Sequence, residues 1–442
     1  MSDESLSYEF DEARAALDSA VHLHASGNFD AAVPFYIRAV KLAPNDPEVL
    51  HATGIALGQS GRAAEAVKHL TAALQFGKNT ADVWNALGMA FTELKKLGNA
   101  ERCFRQVVNR NPKSATGWAN FGNFAYAAGQ PALGSQRYDQ AVSHKAKFAD
   151  DAFVQSLIWL LRGQWRLGWK YYETRREVGN WRIRNRQQHD LKAKEITRKQ
   201  IKPGMRILIE AEQGQGDAVM AARFIPPFAE LHKVEVVVQS HDALKDMLTQ
   251  ALPYDVVDRQ TIPQADGWVP MLSLPYFLGI ERPRDVGPPI TPFGLQWKPP
   301  IRELEHSKLR VFLHTKGNTA HSYDFDRSVP DSVDVRALFP DVEFVTAQFE
   351  TIDGLTKEPT WRQTVAQLLT CDRCLTVDTG LAHVAGSLGI PTDIMIPTMP
   401  EWRWQVDKTS TVWYPSAQLW RRERFDAWEP MLTRIAETYA TL

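Results

Sequence analysis

Two glycine-containing segments carry side chains suited to binding an anion and moving a proton. In the first, residues 374–391, an apolar strand runs into Asp378, Thr379 and Gly380, and a helix of small residues follows at once. Backbone N–H groups at such a helix start, together with the helix dipole, favour an anion such as a diphosphate. His383 lies one turn into the helix, where we expect it to contact the same anion or to support the loop.

The second segment is EQGQGD, which follows the apolar run RILIEA. Gln213, Gly214 and Gly216 form its loop, and Asp217 comes at the start of the next helix. That aspartate is either a helix-capping side chain or a carboxylate that faces a ligand cleft. The segment lacks the full G-x-G-x-x-G pattern and the later acidic residue of a dinucleotide-binding site, so we exclude that interpretation.

The elements that would position both loops alternate between apolar strands and helices from Met205 onward. The predicted strands are RILIEA, VEVVVQ and DVV and, after a Pro-rich stretch at 283–300, RVFLHT, VEFVTAQ, CLTV and IMIP. This alternation predicts doubly wound parallel sheets in two halves, residues 204–300 and 301–442, with a cleft between them. In such sheets, ligands bind at the carboxyl ends of the strands, where both loops fall.

Residues 1–178 show a 34-residue period. Glycine, alanine and aromatic residues recur in fixed frames, as in Gly27, Gly61, Gly129 and Gly163, in Ala32, Ala66 and Ala100, in Gly54, Gly88 and Gly122, and in Trp84 and Trp118. Lys95 occupies the missing turn position. The pattern resembles the tetratricopeptide repeat over residues 13–178, with four good repeats and a degenerate fifth. Such repeats stack into a solenoid whose concave face binds peptides or proteins. The alternative is a dimerisation or spacing module.

Residues 179–203 are basic and polar without periodicity. We interpret them as an interdomain linker, with a nucleic-acid arm as the alternative. The formal net charge of the 442-residue chain is −1, which gives no general attraction to nucleic acid.

The composition also limits cellular context and redox chemistry. No apolar stretch approaches the length of a membrane span, and the acidic N-terminus does not resemble a signal peptide, so we expect a cytoplasmic protein. The 3 cysteines do not form a disulfide framework. Cys371 and Cys374 form a C-x-x-C pair without the further ligands of a zinc site, and we expect both to be buried as small apolar residues.

Residues 204–423 resemble the glycosyltransferase domain of bacterial tetratricopeptide-repeat proteins related to the ADP-heptose:lipopolysaccharide heptosyltransferases. They are more distantly similar to protein O-GlcNAc transferases, which also join such repeats to a GT-B domain. The resemblance rests on EQGQGDAVMAARFIP, KGNTAHSYDFDRSVP, LTVDTGLAHVAGSLGIPT, IPTMPEWRWQ and WYPSAQLWRR. It implies an α + α/β protein, an all-α repeat solenoid followed by a GT-B pair of Rossmann-like domains. The chain departs from the family at Thr315, where tryptophan is usual, and in Gln-Gly-Asp, where Leu-Gly-Asp is usual.

The resemblance also implies roles for individual residues. Asp217 would be the general base on the acceptor hydroxyl, and Arg327 or Lys316 would steady the donor diphosphate. Gln348 would contact the nucleoside. The diphosphate itself would be bound by Asp378, Thr379, Gly380 and His383. Trp402 and Trp404 would stack on a base or sugar, or pack beneath the donor loop.

We therefore expect a metal-independent glycosyltransferase that uses a nucleotide-sugar as donor substrate and no cofactor. The acceptor would be a protein, such as flagellin or another surface protein, presented by the repeats, and the chain could form a homo-oligomer. A non-catalytic interaction protein with a relic transferase domain is one alternative. Glycosylation of modified bases in DNA by way of the 179–203 linker is the other.

Overall fold

The computed structural model describes residues 3–25, 29–178, 194–300, 308–317, 324–347, 350–352, 355–357, 359–406, 408–424 and 428–442. These residues form two compact units. The first unit contains residues 3–25, 29–158, 174–178 and 324–326. The second unit contains the described residues within 159–173, 194–317 and 327–442. Among the helices of these ranges, none combines the length and apolarity needed to cross a bilayer.

The first unit consists of helices that pack in consecutive pairs. They are α1 (Asp3–Ala25), α2 (Phe29–Leu42), α3 (Pro47–Gln59), α4 (Ala63–Gln75), α5 (Ala81–Glu93), α6 (Leu97–Arg110), α7 (Ala115–Ala127), α8 (Pro131–Ser143) and α9 (Ala149–Leu161), whose last residues belong to the second unit. Side-chain caps from Asp46, Thr80 and Ser114 begin α3, α5 and α7 and satisfy free backbone N–H groups there.

The glycine frame of the repeats is explained by close helix pairing. A Cβ atom added at Gly88 would lie 2.8 Å from the Phe104 ring, and one added at Gly122 would lie 2.7 Å from the Tyr138 ring. Each glycine of the first helix thus accommodates a large side chain from the second helix, 16 residues later. The predicted repeat packing is confirmed.

The turns between paired helices require left-handed backbone. Gly61 has φ 72° and Gly129 has φ 74°, which glycine adopts without steric cost. Lys95 has φ 59° at the equivalent position, so a lysine does adopt the turn conformation where the glycine frame is broken.

The second unit contains two parallel sheets, and the predicted α/β alternation is confirmed. The first sheet has the order β3-β2-β1-β4, with β1 (Arg206–Glu210), β2 (Glu235–Gln239), β3 (Asp255–Val257) and β4 (Gly267–Pro270). The second sheet has the order β11-β10-β9-β5-β6, with β5 (Leu309–His314), β6 (Val342–Val345), β9 (Arg373–Val377), β10 (Thr392–Ile396) and β11 (Ala417–Arg421). The pair β7 (Glu350–Ile352) and β8 (Leu355–Lys357) is antiparallel.

Strand order places the two loops at switch points. In the first sheet the chain passes from β1 to β2 and β3 on one side and returns to β4 on the other. In the second sheet it passes from β5 to β6 and returns to β9 beside β5. At such a reversal the connections leave in opposite directions and a crevice opens at the carboxyl ends of the central strands.

The helices of the second unit are mostly short. They are α10 (Trp165–Tyr172), α11 (Gln215–Ala221), α12 (Ile225–His232), α13 (Asp242–Ala251), α14 (Leu274–Leu278), α15 (Asp324–Arg327, mostly in the first unit), α16 (Trp361–Leu368), α17 (Gly380–Leu388) and α18 (Trp428–Tyr439). Helix α10 falls in the predicted fifth repeat. Its Trp165 ring stacks on Trp413 at a centroid distance of 5.2 Å.

Two segments between predicted domains are hydrogen-bonded to the second unit. Ile196 donates its N–H to the carbonyl of Trp268 at 3.1 Å, so residues 194–196 extend along the β4 edge. In the Pro-rich passage, Trp297 donates its backbone N–H to Leu388 and its indole N–H to Cys371, both at 2.9 Å. That passage is therefore attached to the second sheet.

Candidate functional site

Helix α17 begins directly beyond the carboxyl end of β9. Thr379 is its N-cap residue, but its side chain makes no capping hydrogen bond. The Oγ1 atom of Thr379 is buried and has no hydrogen-bond partner within the described residues. The N–H groups of Gly380 and Leu381 have no partner within the helix, whereas that of Ala382 bonds to the Thr379 carbonyl at 3.0 Å. These two N–H groups and the hydroxyl are the unsatisfied donors that a phosphate oxygen requires.

Helix α11 begins in the same way beyond β1. Gly214 is the N-cap residue, and Asp217 is the third helical residue. The Oδ2 atom of Asp217 accepts the backbone N–H of Gly214 at 3.1 Å. One of the two carboxylate oxygens of Asp217 therefore acts as a helix cap.

The starts of α11 and α17 lie against each other. A Cβ atom added at Gly216 would lie 2.8 Å from Cδ2 of His383 and 3.0 Å from Cα of Gly380. Only a residue without a side chain fits at Gly216. Two glycines thus allow the predicted acceptor loop and the predicted diphosphate loop to touch.

Two further contacts join the same halves. Trp361 at the start of α16 donates its indole N–H to the Gln215 side chain at 2.6 Å. Arg362 pairs with Asp246 of α13 at 2.6 Å. The two sheets of the second unit therefore meet through their loops at the predicted site.

The second oxygen of Asp217 is bound by Arg403. One guanidinium nitrogen, Nη2, contacts Oδ1 of Asp217, and the other, Nη1, contacts Glu401. The guanidinium also lies over the Trp402 ring, 4.4 Å from its centroid. The Asp217 and Arg403 side chains are each 14% exposed. Arg403 therefore links the loop after β1 to the segment after β10.

Charge in this cluster shifts two pKa values. Burial by itself lowers the pKa of Arg403, but the carboxylates of Asp217 and Glu401 outweigh burial and raise that pKa above its ordinary value. Burial raises the pKa of Glu401 to about 7, against the opposing effect of Arg403. The arginine is thus a permanent cation among three acidic side chains, the third being Asp378.

His383 is buried and has a supporting position. Its Nδ1 atom is 2.9 Å from the Tyr414 hydroxyl, and its ring stacks on Trp404 at a centroid distance of 5.2 Å. Burial, with Arg403 and Arg223 nearby, lowers the pKa of His383 well below its ordinary value. A neutral ring that fills the space beneath the loop fits the supporting role rather than direct charge pairing.

Gln213 has a strained backbone that the structure stabilises. Its φ is 61°, in the left-handed region. Its side-chain amide donates to the Tyr172 hydroxyl at 3.0 Å, and its carbonyl oxygen lies 2.8 Å from Nε2 of His241. These contacts hold the loop that ends at Asp217.

The other predicted donor residues lie in the loops after β5. Lys316 donates to the Val329 carbonyl at 2.7 Å and to Asp331 at 2.5 Å, so its ammonium group ties two loop segments together. Arg327 ends α15 near His314, whose pKa is lowered by burial and by Arg327. Gln348 lies outside the described residues.

Several other predicted residues lie in the core. Trp402 and Trp404 are 5% and 1% exposed, which favours packing beneath the loop over stacking on a ligand. Cys371 and Cys374 are buried free thiols, as expected for small apolar residues. Within the described ranges, no three histidine, cysteine or acidic side chains come together as a metal site would require.

Arg403 and Glu401 are site residues that the sequence pattern did not indicate. Both lie in the EWRW segment that supported the family resemblance, and the signal was a glutamate before the first of two tryptophans and an arginine between them. Their connection to Asp217 spans 186 residues of chain, so no local pattern could reveal it.

Comparison with known proteins identifies the repeats of the N-terminal region. Family models of the tetratricopeptide repeat match residues 23–90 and 81–114. The N-terminal region contains tetratricopeptide repeats. Over 459 aligned residues the chain is 21% identical to Protein FlbA of Caulobacter vibrioides. The alignment covers 92% of this chain and 75% of that protein.

Two solved structures are similar to part of this chain. A MamA protein is 19% identical, with a TM-score of 0.28 over 41% of this chain and 97% of that one. A thermophilic tetratricopeptide-repeat protein of Thermus thermophilus is also 19% identical, with a TM-score of 0.32 over 37% of this chain and 90% of that one.

Proposed function

We propose that the chain is a glycosyltransferase that moves a sugar from a nucleotide-sugar to an acceptor protein bound by the repeats. One observation carries the proposal: the unsatisfied donors at the start of α17 lie beside a carboxylate from the other sheet, Asp217. Transfer from a sugar diphosphate needs donors where charge develops on the leaving group and a base for the acceptor proton. The second unit would then be a GT-B pair of domains.

Each site residue has a role in this proposal. The N–H groups of Gly380 and its neighbours, with Thr379 Oγ1, would bind the diphosphate oxygens. Asp217 would accept the proton of the acceptor hydroxyl as that oxygen attacks the anomeric carbon and the nucleoside diphosphate leaves. His383 and Tyr414 would hold the α17 loop in place.

The repeats are the region that we propose to bind the acceptor. Tetratricopeptide repeats bind peptides and proteins, so an acceptor protein is the partner class that fits this chain. The same property supports a non-catalytic interaction protein, which predicts partner binding without any sugar transfer.

The first test is a thermal-shift screen of nucleoside diphosphates on wild type, Thr379→Trp and His383→Ala. Thr249→Trp is the matched control, because Thr249 is exposed on α13 and distant in sequence from the loop. A ligand at a hundredfold excess over its Kd stabilises the native state by about 2.7 kcal/mol. We expect one nucleotide to stabilise wild type and the control but neither loop variant.

The second test measures sugar transfer from the matching nucleotide-sugar. Asp217→Asn keeps the shape of the side chain and removes the base, so we expect transfer to fall by about 10²–10⁴-fold while nucleotide binding persists. Binding of a partner protein with no nucleotide binding and no transfer would establish the interaction-protein alternative instead.

A further inference from the structure

Both oxygens of the carboxylate assigned as base have a partner in this structure. Oδ2 of Asp217 accepts the Gly214 N–H, and Oδ1 is paired with Arg403. Each oxygen retains a further lone pair, but accepting a proton neutralises Asp217 and gives up its ion pair with Arg403. Arg403 is therefore the partner that opposes proton transfer to Asp217.

Arg403 is the partner that a ligand can replace. The Gly214 N–H belongs to the same loop and moves with Asp217, whereas Arg403 comes from the other half of the unit. A guanidinium binds phosphate oxygens in the same two-pronged geometry that it uses for carboxylates. Arg403 also lies close enough to the start of α17 to lower the pKa of His383.

Arg403 is shared among several acidic side chains. Its guanidinium pairs with Asp217 and Glu401, and Asp378 also acts on it, so release of Asp217 leaves the guanidinium with an acidic partner. A diphosphate at the start of α17 would lie near the Arg403 guanidinium. The Trp402 ring beneath the guanidinium keeps it in place while its partners change.

We propose that Arg403 is a positioning residue that holds Asp217 in the ligand-free protein and transfers to the diphosphate when the donor binds. Donor binding thereby frees Oδ1 of Asp217 for the acceptor hydroxyl. This inference rests on the proposed function. It makes the base available only when the donor is present, so the acceptor is not deprotonated in an empty site.

The test is calorimetric binding of inorganic pyrophosphate to the full chain in four forms: wild type, Asp217→Asn, Arg403→Gln and the double variant. If Asp217 competes for Arg403, Asp217→Asn binds pyrophosphate about tenfold more tightly than wild type. Arg403→Gln binds about tenfold more weakly, and in that background Asp217→Asn gives no further tightening.

Asp246→Asn is the matched control. Asp246 is also paired with an arginine of the other half, Arg362, so this variant loosens the same halves without touching Arg403. Its affinity should stay within about twofold of wild type. If Arg403→Gln does not fold, Arg403→Lys replaces it and should retain only part of the tightening.

Each other outcome overturns the proposal. Equal tightening by Asp217→Asn in both backgrounds would show a general charge effect, and tightening by Asp246→Asn would show loosening of the halves. Absence of tightening in Asp217→Asn would show that Asp217 does not compete. These three results leave the transferase proposal intact, whereas failure of every form to bind pyrophosphate removes the diphosphate site itself.

Discussion

The contact between the starts of α11 and α17 is tested by adding one methyl group at Gly216. In Gly216→Ala the Cβ atom would lie 2.8 Å from the His383 ring and 3.0 Å from the Gly380 backbone. Backbone cannot move aside as a flexible side chain can, so the two loops must separate.

The expected magnitude follows from two opposing effects. Overpacking of this kind costs about 1–3 kcal/mol. Replacing glycine by alanine within a helix recovers up to about 1 kcal/mol. With the full gain, the net result is a contact weaker by up to about 2 kcal/mol, and opening of the start of α17 should become up to about 30 times more frequent.

Hydrogen exchange of peptides that cover residues 379–386 measures that opening directly. Gly214→Ala is the control on the same loop, because its Cβ atom would meet only the Asp217 carboxylate, at 3.2 Å. That side chain can shift by a few tenths of an ångström, so exchange should stay near the wild-type rate. Equal exchange in both variants would refute the contact between Gly216 and Gly380.

Three other predictions concern stability. Gly88→Ala should destabilise the repeats by about 1–2 kcal/mol in urea unfolding, whereas Gly98→Ala, with open space around it, should be neutral or slightly stabilising; equal effects would contradict the close helix pairing. Burial raises the pKa of Glu93 to about 7, so ionisation of Glu93 lowers the free energy of unfolding as pH rises from 4.5 through 7. Near pH 8, Glu93→Gln should therefore raise the thermal midpoint, with a gain of about 1 kcal/mol in stability, and near pH 4 it should not. An equal rise at both pH values would exclude ionisation as the cause. Asp393 is 1% exposed and pairs with Arg373 at 2.8 Å, so Asp393→Asn should cost about 3 kcal/mol in urea unfolding, and a loss under 1 kcal/mol would show that the charge is not needed.

Some strands could not be predicted from the sequence. The strands β1, β2, β5, β9 and β10 are apolar runs, and each was recognisable because a buried parallel strand is apolar on both faces. The strands β4 and β11 were missed because GWVP contains glycine and proline and AQLWR has an exposed glutamine. Pairing with β1 and β10 is what makes these segments strands.

The sequence by itself determined what depends on neighbouring residues. The 34-residue period fixed the repeat helices, because a glycine in one helix and a large side chain 16 residues later meet within a single helical pair. The two helix starts after apolar strands were also local features, since a short loop and a capping position are set within a few residues.

The relation between the two loops depends on long-range contacts in the folded chain. Asp217 and Arg403 are 186 residues apart, and their ion pair depends on the order of strands in two sheets. The same order buries His383 against Tyr414 and Trp404 and brings Gly216 against Gly380. A sequence pattern records which side chains are available, but long-range contacts determine which of them meet and which carboxylate oxygens are already occupied.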